Sequence, residues 1–344
     1  MKKSIFTIAI ILTTIVAQAK IWRCNNNFGV TADFTTLNAA VVDASVLTGD
    51  TIHLEPSLTS YGDATISTKK LTVISTGSFL SDNLNLQFDS KAGFCGNLTV
   101  NGAATNGTVI SVRFNGGLFA SGVSTTNIKF VNCASIISSS NYCNASNGAI
   151  YISGADNCII SKCWAAWIGT DGGANNLVVT NNIIGNGISI DVSGTAIVSN
   201  NVIHAINVDN GCVTVNIQNS VISNNIFLKG ISSASFQNSI VKNNLCSATT
   251  GQILPAGNGN VNGVDMTTVF VDGTGVFIDN AYILKAGSPA IGAGEAGVDC
   301  GAFGNVDPYR LAAQAAIPSI YKLVVPASPT GNTMNILFST RSNN

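Results

Sequence analysis

Val179-Thr180-Asn181-Asn182-Ile183 recurs as Val198-Ser199-Asn200-Asn201-Val202, Ile222-Ser223-Asn224-Asn225-Ile226 and Val241-Lys242-Asn243-Asn244-Leu245. The pairs recur at a nearly constant interval, with one longer step before Asn224-Asn225, and apolar residues flank each pair in the same register. A period of about 20 residues is too short for a unit that buries its own apolar face, so each unit must stack on the last as a solenoid. Extending the register backwards by the same interval as separates Asn182 from Asn201 reaches Lys162-Cys163, and a longer step reaches Asn132-Cys133. One column of the stack then reads Cys133, Cys163, Asn182, Asn201, Asn225, Asn244. Asn tolerates the positive φ of a sharp corner better than most residues. Its amide can also donate to one coil and accept from another across the ~4.8 Å strand spacing. The extra length of the coil between Cys133 and Cys163 falls in a polar loop, Ser138 to Gly148.

Working outward, residues 97–250 read as short strands separated by Gly, Asn, Asp and Ser, with no helical periodicity. Residues 33–46 read as a short amphipathic helix, with Leu37, Ala40, Val41 and Ala44 at helical spacing and Asp33 or Thr35 as cap. Such a helix suits the open end of a solenoid, where apolar core would otherwise meet water. Thr51–Leu54 and Leu71–Ile74 read as strands. Residues 270–309 are irregular and read as a closing cap, and 310–344 as a tail with strand character. At the other end, Lys2-Lys3, the apolar run Ile5–Val16 and Ala17-Gln18-Ala19 read as a signal peptide, residues 1–19. The run is too short to span a bilayer. The expectation is a secreted or cell-surface chain whose solenoid domain covers residues 20–309.

Without Lys2 and Lys3, 14 basic residues face 17 acidic ones. No basic stripe exists to neutralise phosphates, so nucleic acid is not an expected partner. Only 10% of residues are charged, which suits a stacked sheet in which like charges in register would repel. Nine cysteines with no CxxC pair, and two histidines, exclude the usual zinc spacings. Cys133 and Cys163 come within disulfide reach if the coils stack, yet such columns equally hold buried free thiols.

The segment from Asp33 through Gly49-Asp50-Thr51-Ile52 to Tyr61 and Lys69–Ile74 resembles the N-terminal part of right-handed parallel β-helix proteins of the pectin-lyase-like class. The Asn-Asn repeats look like their coils. Leu284, Gly287–Gly294 and Asp299–Gly304 are similar to the closing segment of secreted bacterial members. The resemblance covers about residues 33–309 and implies an all-β, right-handed parallel β-helix solenoid with an N-terminal helical cap. That class holds polysaccharide lyases and hydrolases beside members without catalysis, so fold alone implies no activity. The chain has no Asp-Asp, Asn-Thr-Asp or His-Gly, and Arg113 is the one arginine within the coils.

Asp171, Asp191 and Asp209 follow ladder positions at a similar interval and are expected to stack at one turn. At about 5 Å and an effective dielectric near 20, two such carboxylates repel by about 3–4 kcal/mol, which a Ca²⁺ ion would relieve. Turn aspartates also serve local backbone N–H groups. Trp167 lies just past the ladder, in a row with Asn186, Ala205 and Lys229, and an outward indole there could stack on a sugar ring. Trp164 aligns with Ile183, Val202, Ile226 and Leu245 and is expected in the core. His204, with Lys229 near it, could act as a general base. The function expected is binding of polysaccharide along the coil face through Trp167, Asn186 and Lys229, or a scaffold or adhesin role. The alternative is a calcium-dependent lyase for uronate polymers using His204, Lys229 or Arg113.

Overall fold

The structure is a computed structural model describing residues 19–83, 85–135, 148–171, 173–204, 215–228, 236–250, 253–272, 278–329 and 332–342. Asp209, Lys229, Ala205 and most of the Ser138–Gly148 loop lie outside the described residues, as does nearly all of the expected signal peptide. The chain is an all-β parallel β-helix. Ten parallel strands form one sheet, from Ile21–Cys24 to Ile240–Lys242, and thirteen form a second that returns from Leu245–Cys246 to Ala64–Ile66. From Thr51 onward the coils contribute to both, and in the first coil the helix Leu37–Val42 stands in place of a strand of the second sheet. Among the described residues no helix is long and apolar enough to cross a membrane.

The repeated apolar residue before each asparagine pair makes the core. Val109, Phe130, Ile160, Val179, Val198 and Ile222 are register partners on successive strands, all buried. They belong to one cluster running the length of the stack. The second asparagine of each pair forms the internal ladder. Asn201 Nδ2 donates to Val179 O at 2.9 Å and to Asn225 Oδ1 at 2.9 Å. Its Oδ1 accepts from Asn182 N and Nδ2, both at 2.9 Å. Every donor and both lone pairs of the buried amide are used. The ladder runs one step beyond the repeat, to Asn260. At its other end the Cys163 thiol donates to Phe130 O and Ser161 O, and Cys133 to Val109 O. The seven described cysteines are buried free thiols.

Positive φ belongs to the first asparagine of each pair, not to the ladder residue as the sequence suggests. Asn181, Asn200, Asn224 and Asn243 have φ of 54–59°, as do Asn132 and Lys162 at 53° and 54°. The turn sends their side chains outward, where they hold a strap, residues 293–314. Asn181 Nδ2 donates to Ala302 O (3.0 Å) and Gly304 O (2.8 Å), and Asn200 Nδ2 to Asp299 O (3.0 Å). Asn224 Oδ1 accepts from Glu295 N, Lys162 Nζ meets Asp307 at 2.5 Å, and Asn132 Nδ2 donates to Gln314 O. The order of these contacts runs the strap back along the stack, from the last asparagine coil toward the Asn132 coil. The segment read as a terminal cap is therefore a cover along the side. Beneath it lies a second apolar cluster that includes Trp164, Ile183, Val202, Ile226 and Leu245. Trp164 is buried as expected, but in this outer seam, because neighbouring residues of a strand point to opposite faces. Gly301 sits on the seam at φ +88°, where an added Cβ would come within 2.7 Å of Ile226 Cδ1.

The helix is shorter than its pattern suggests, Leu37–Val42, capped by Thr36 Oγ1 accepting from Ala39 N at 3.2 Å. Asp33 cannot cap it because its carboxylate accepts from Arg23 N. Leu37, Ala40 and Val41 join the main core cluster. The tail forms an antiparallel hairpin, Ser319–Val324 with Leu337–Arg341.

Candidate functional site

A second repeat governs the far half of the thirteen-stranded sheet. Leu98-Thr99-Val100-Asn101, Leu118-Phe119-Ala120-Ser121, Ile150-Tyr151-Ile152-Ser153, Ile168-Gly169-Thr170-Asp171, Ile188-Ser189-Ile190-Asp191 and Val215-Asn216-Ile217-Gln218 stack in that order. The first and third residues of each are buried, so the second faces outward. The outward row reads Thr99, Phe119, Tyr151, Gly169, Ser189, Asn216.

Gly169 interrupts this row, and Trp167 fills the space. A Cβ built on Gly169 would lie 2.6 Å from Trp167 Nε1 and 3.0 Å from Tyr151 Cδ2 and Cε2. Both rings therefore converge over Gly169, and Phe119 is the register partner of Tyr151 on the next strand. Phe119, Tyr151 and Trp167 are each half-buried. They form an aromatic row about 10 Å long, two strand spacings.

Polar groups border it. Asp171 accepts from the Ser153 hydroxyl and from Gly154 N at 3.1 Å. Burial, and then the Asp171 charge, raise the pKa of the Tyr151 phenol. Its hydroxyl thus stays neutral and able to donate. Asn186 differs from expectation by one position. The register slips between Ala165 and Trp167, so Trp167 faces Gly187 and the bulge takes up Gly185 and Asn186. A bulge turns its extra residue out of the row. Asn186 is 4% exposed, and neither amide atom has a hydrogen-bond partner. An unmet buried polar group costs about 1–3 kcal/mol, so Asn186 is a local cost of the bulge and no part of the open face.

Of the other sequence candidates, Asp171 and Asp191 occupy equivalent positions on adjacent coils, whereas His204 and Arg113 lie apart. Asp171 and Asp191 follow register partners Gly169 and Ser189 on successive coils and are exposed. Asp191 exchanges hydrogen bonds with the Thr170 hydroxyl through its own backbone. Among the described residues no group of three or more His, Cys, Asp or Glu side chains could hold a metal ion. His204 is 7% exposed, with Nδ1 3.3 Å from the Tyr282 hydroxyl. Arg113 lies four register steps away, through Ala134, Trp164, Ile183 and Val202, or roughly 19 Å at ~4.8 Å per step. The structure therefore does not bring His204 and Arg113 together.

Phe119, Tyr151 and Gly169 were missed because the reading followed the asparagine repeat. The signal was present in the second one, where Ile150-Tyr151-Ile152-Ser153 and Leu118-Phe119-Ala120-Ser121 share a pattern with an aromatic at its outward position. Compared with protein-family models, curated proteins and solved structures, the chain matches none. What the site can do rests on its own chemistry. Three aromatic side chains flanked by hydroxyl and carboxylate groups can stack on the apolar faces of sugar rings and bond their hydroxyls.

Proposed function

We propose that this chain is an exported carbohydrate-binding β-helix of the right-handed, pectin-lyase-like kind, and that polysaccharide lies along the row Phe119, Tyr151, Trp167. The observation that carries this reading is the convergence of Tyr151 and Trp167 over Gly169, since a side chain at that position would displace both rings. The Lys2-Lys3, Ile5–Val16, Ala17-Gln18-Ala19 pattern supports export. The low charge of the chain favours a ligand recognised through hydroxyl groups over a polyanion such as nucleic acid.

The test is retention of the purified protein in gels cast with a panel of neutral and acidic polysaccharides. At least one should retard the wild type, and Trp167→Ala should clearly reduce that retardation. Equal retardation of the variant by every polysaccharide that holds the wild type would sink the reading. A scaffold role is favoured by a separate feature, the tail hairpin, whose Ile320, Val324, Leu337 and Phe338 are 45–59% exposed.

A further inference from the structure

The tail hairpin, Ser319–Val324 with Leu337–Arg341, is held at its base and open at its tip. At the base Ser319 Oγ donates to Leu86 O at 3.1 Å, and Arg341 donates to Gln314 Oε1 at 2.9 Å and to Asn85 O at 3.4 Å. Toward the tip lie Val324, Val325, Met334, Ile336, Leu337 and Phe338, each 45–59% exposed. Six half-exposed apolar side chains make a patch of roughly 500 Å², as large as the largest patch on a typical monomer. A two-stranded hairpin is also marginal in water by itself, and more strands stabilise it.

The two edges of the hairpin differ. Ile320 O accepts from Phe88 N at 2.8 Å, so the solenoid side occupies the outer edge of Ser319–Val324. The N–H and C=O of one residue in an antiparallel pair point to the same side, so Ile320 turns both away from its register partner Thr340. Thr340 turns its own pair away in the opposite direction, to the second edge, and Phe338, two residues back, shares that direction. Among the described residues no strand pairs with this second edge, and no backbone group outside the hairpin bonds Phe338 or Thr340. Proteins guard such edges with Lys, Pro or a bulge in the edge strand. Leu337-Phe338-Ser339-Thr340-Arg341 has no Lys or Pro, its arginine is engaged at the base, and the bulge lies in the other strand, between Ile320 and Lys322.

This edge is complementary to itself. Antiparallel pairing of Leu337–Arg341 with its own copy, about a twofold axis at Ser339, sets Phe338 opposite Thr340 of the partner subunit. Both residues present N–H and C=O to the edge, so this register closes about four backbone hydrogen bonds. Leu337 then faces Arg341 of the partner subunit, and no like charges are directly opposed. The Lys322 side chains of the two copies lie on the outer strands, three strand spacings or ~14 Å apart, beyond the Debye length of about 8 Å at physiological salt. Antiparallel order places each tip beside the other base, so the two solenoids lie at opposite ends of the joined sheet. Two such patches total roughly 1,000 Å², the size at which an interface becomes specific.

We propose that the chain self-associates as a twofold dimer through the free edge Leu337–Arg341, two tail hairpins joining into one four-stranded antiparallel sheet. This gives the scaffold role its partner, a second copy of the chain, and holds whether or not the aromatic row binds sugar.

The test is sedimentation velocity of the purified mature chain from about 1 to 100 µM, with hydrogen exchange at both ends of that range. Wild type should shift from monomer toward dimer as concentration rises and stop at two copies. The Phe338 and Thr340 amides should exchange more slowly at the higher concentration. Phe338→Lys sets a charge in the patch, and Thr340→Pro removes an N–H that faces away from the hairpin's own bonds. Each should weaken association at least tenfold and leave the melting curve of the monomer unchanged. Trp167→Ala should associate as wild type does, which separates failure of this interface from failure of the glycan reading. A chain still monomeric at the top concentration would overturn the proposal, and its binding to phosphatidylglycerol vesicles would then assign the patch to a lipid surface. Dimerisation that survives both edge substitutions would overturn it too. So would growth past two copies, which marks an open-ended contact between unlike surfaces.

Discussion

Asn201→Ala is the sharpest probe of the architecture. The residue is fully buried and its amide makes four hydrogen bonds. Truncation orphans the Asn182 backbone N–H, which donates to Asn201 Oδ1 at 2.9 Å. It also removes one donor from Val179 O, one from Asn225 Oδ1, and one acceptor from Asn182 Nδ2, which keeps its bond to Ile160 O. An orphaned buried donor costs about 1–3 kcal/mol, and three partial losses bring the total to about 3–5 kcal/mol. Because each coil contacts only its neighbours, the damage should stay local. Urea denaturation should show the loss, and hydrogen exchange should show faster opening at Asn182 and Asn225 while the first coils keep their protection. Asn201→Leu, which leaves no room for a replacement water, should lose at least as much. A loss below ~1 kcal/mol in both variants would refute the assignment of the ladder as a fully satisfied buried network.

Further outcomes follow from the strap, the aromatic row and a buried acid. Asn181→Ala loses both strap bonds and a residue suited to φ +56°, costing about 2–3 kcal/mol and exposing residues 299–304 to limited proteolysis, with ladder protection retained. Trp167→Ala should weaken glycan binding about tenfold, or ~1.4 kcal/mol, with the fold intact by circular dichroism. Gly169→Val should do the same while keeping all three aromatic residues, since its Cβ would strike both rings. Asp279, buried and accepting from Asn83, Tyr309 and Ala312, has its pKa raised to about 6 by burial. Its folded value exceeds its unfolded one, so its contribution is full below about pH 4 and is lost as pH rises through 6. His53, whose pKa burial lowers, acts in the opposite sense below 6.5. The difference between wild type and Asp279→Asn, in which His53 cancels, should therefore shrink as pH rises from 4 to 7.

The ladder was legible because one side-chain chemistry recurs at nearly constant spacing and its apolar neighbours recur with it. The strap was not. Its anchors are the first asparagines of the same pairs, and they look like turn residues until a distant, irregular segment is laid beside them. Trp164 was recognised as buried but not as outer seam, since alternation alone does not say which face a later segment will cover. Trp167 was legible as an outward ring. Its partners were not, because the Ser138–Gly148 loop falls between Phe119 and Tyr151, so that interval matches neither the repeat nor the much shorter step from Tyr151 to Trp167. The Asn186 slip arises from a bulge, which inserts a residue without any mark in the repeat.

The measurement that bears most directly on the functional reading is a crystal structure grown with an oligosaccharide of whichever polysaccharide retards the protein. The account predicts sugar rings stacked on Trp167 and Tyr151, with hydroxyls in reach of Asp171. Sugar bound on another face, with the row Phe119, Tyr151, Trp167 bare, would contradict it.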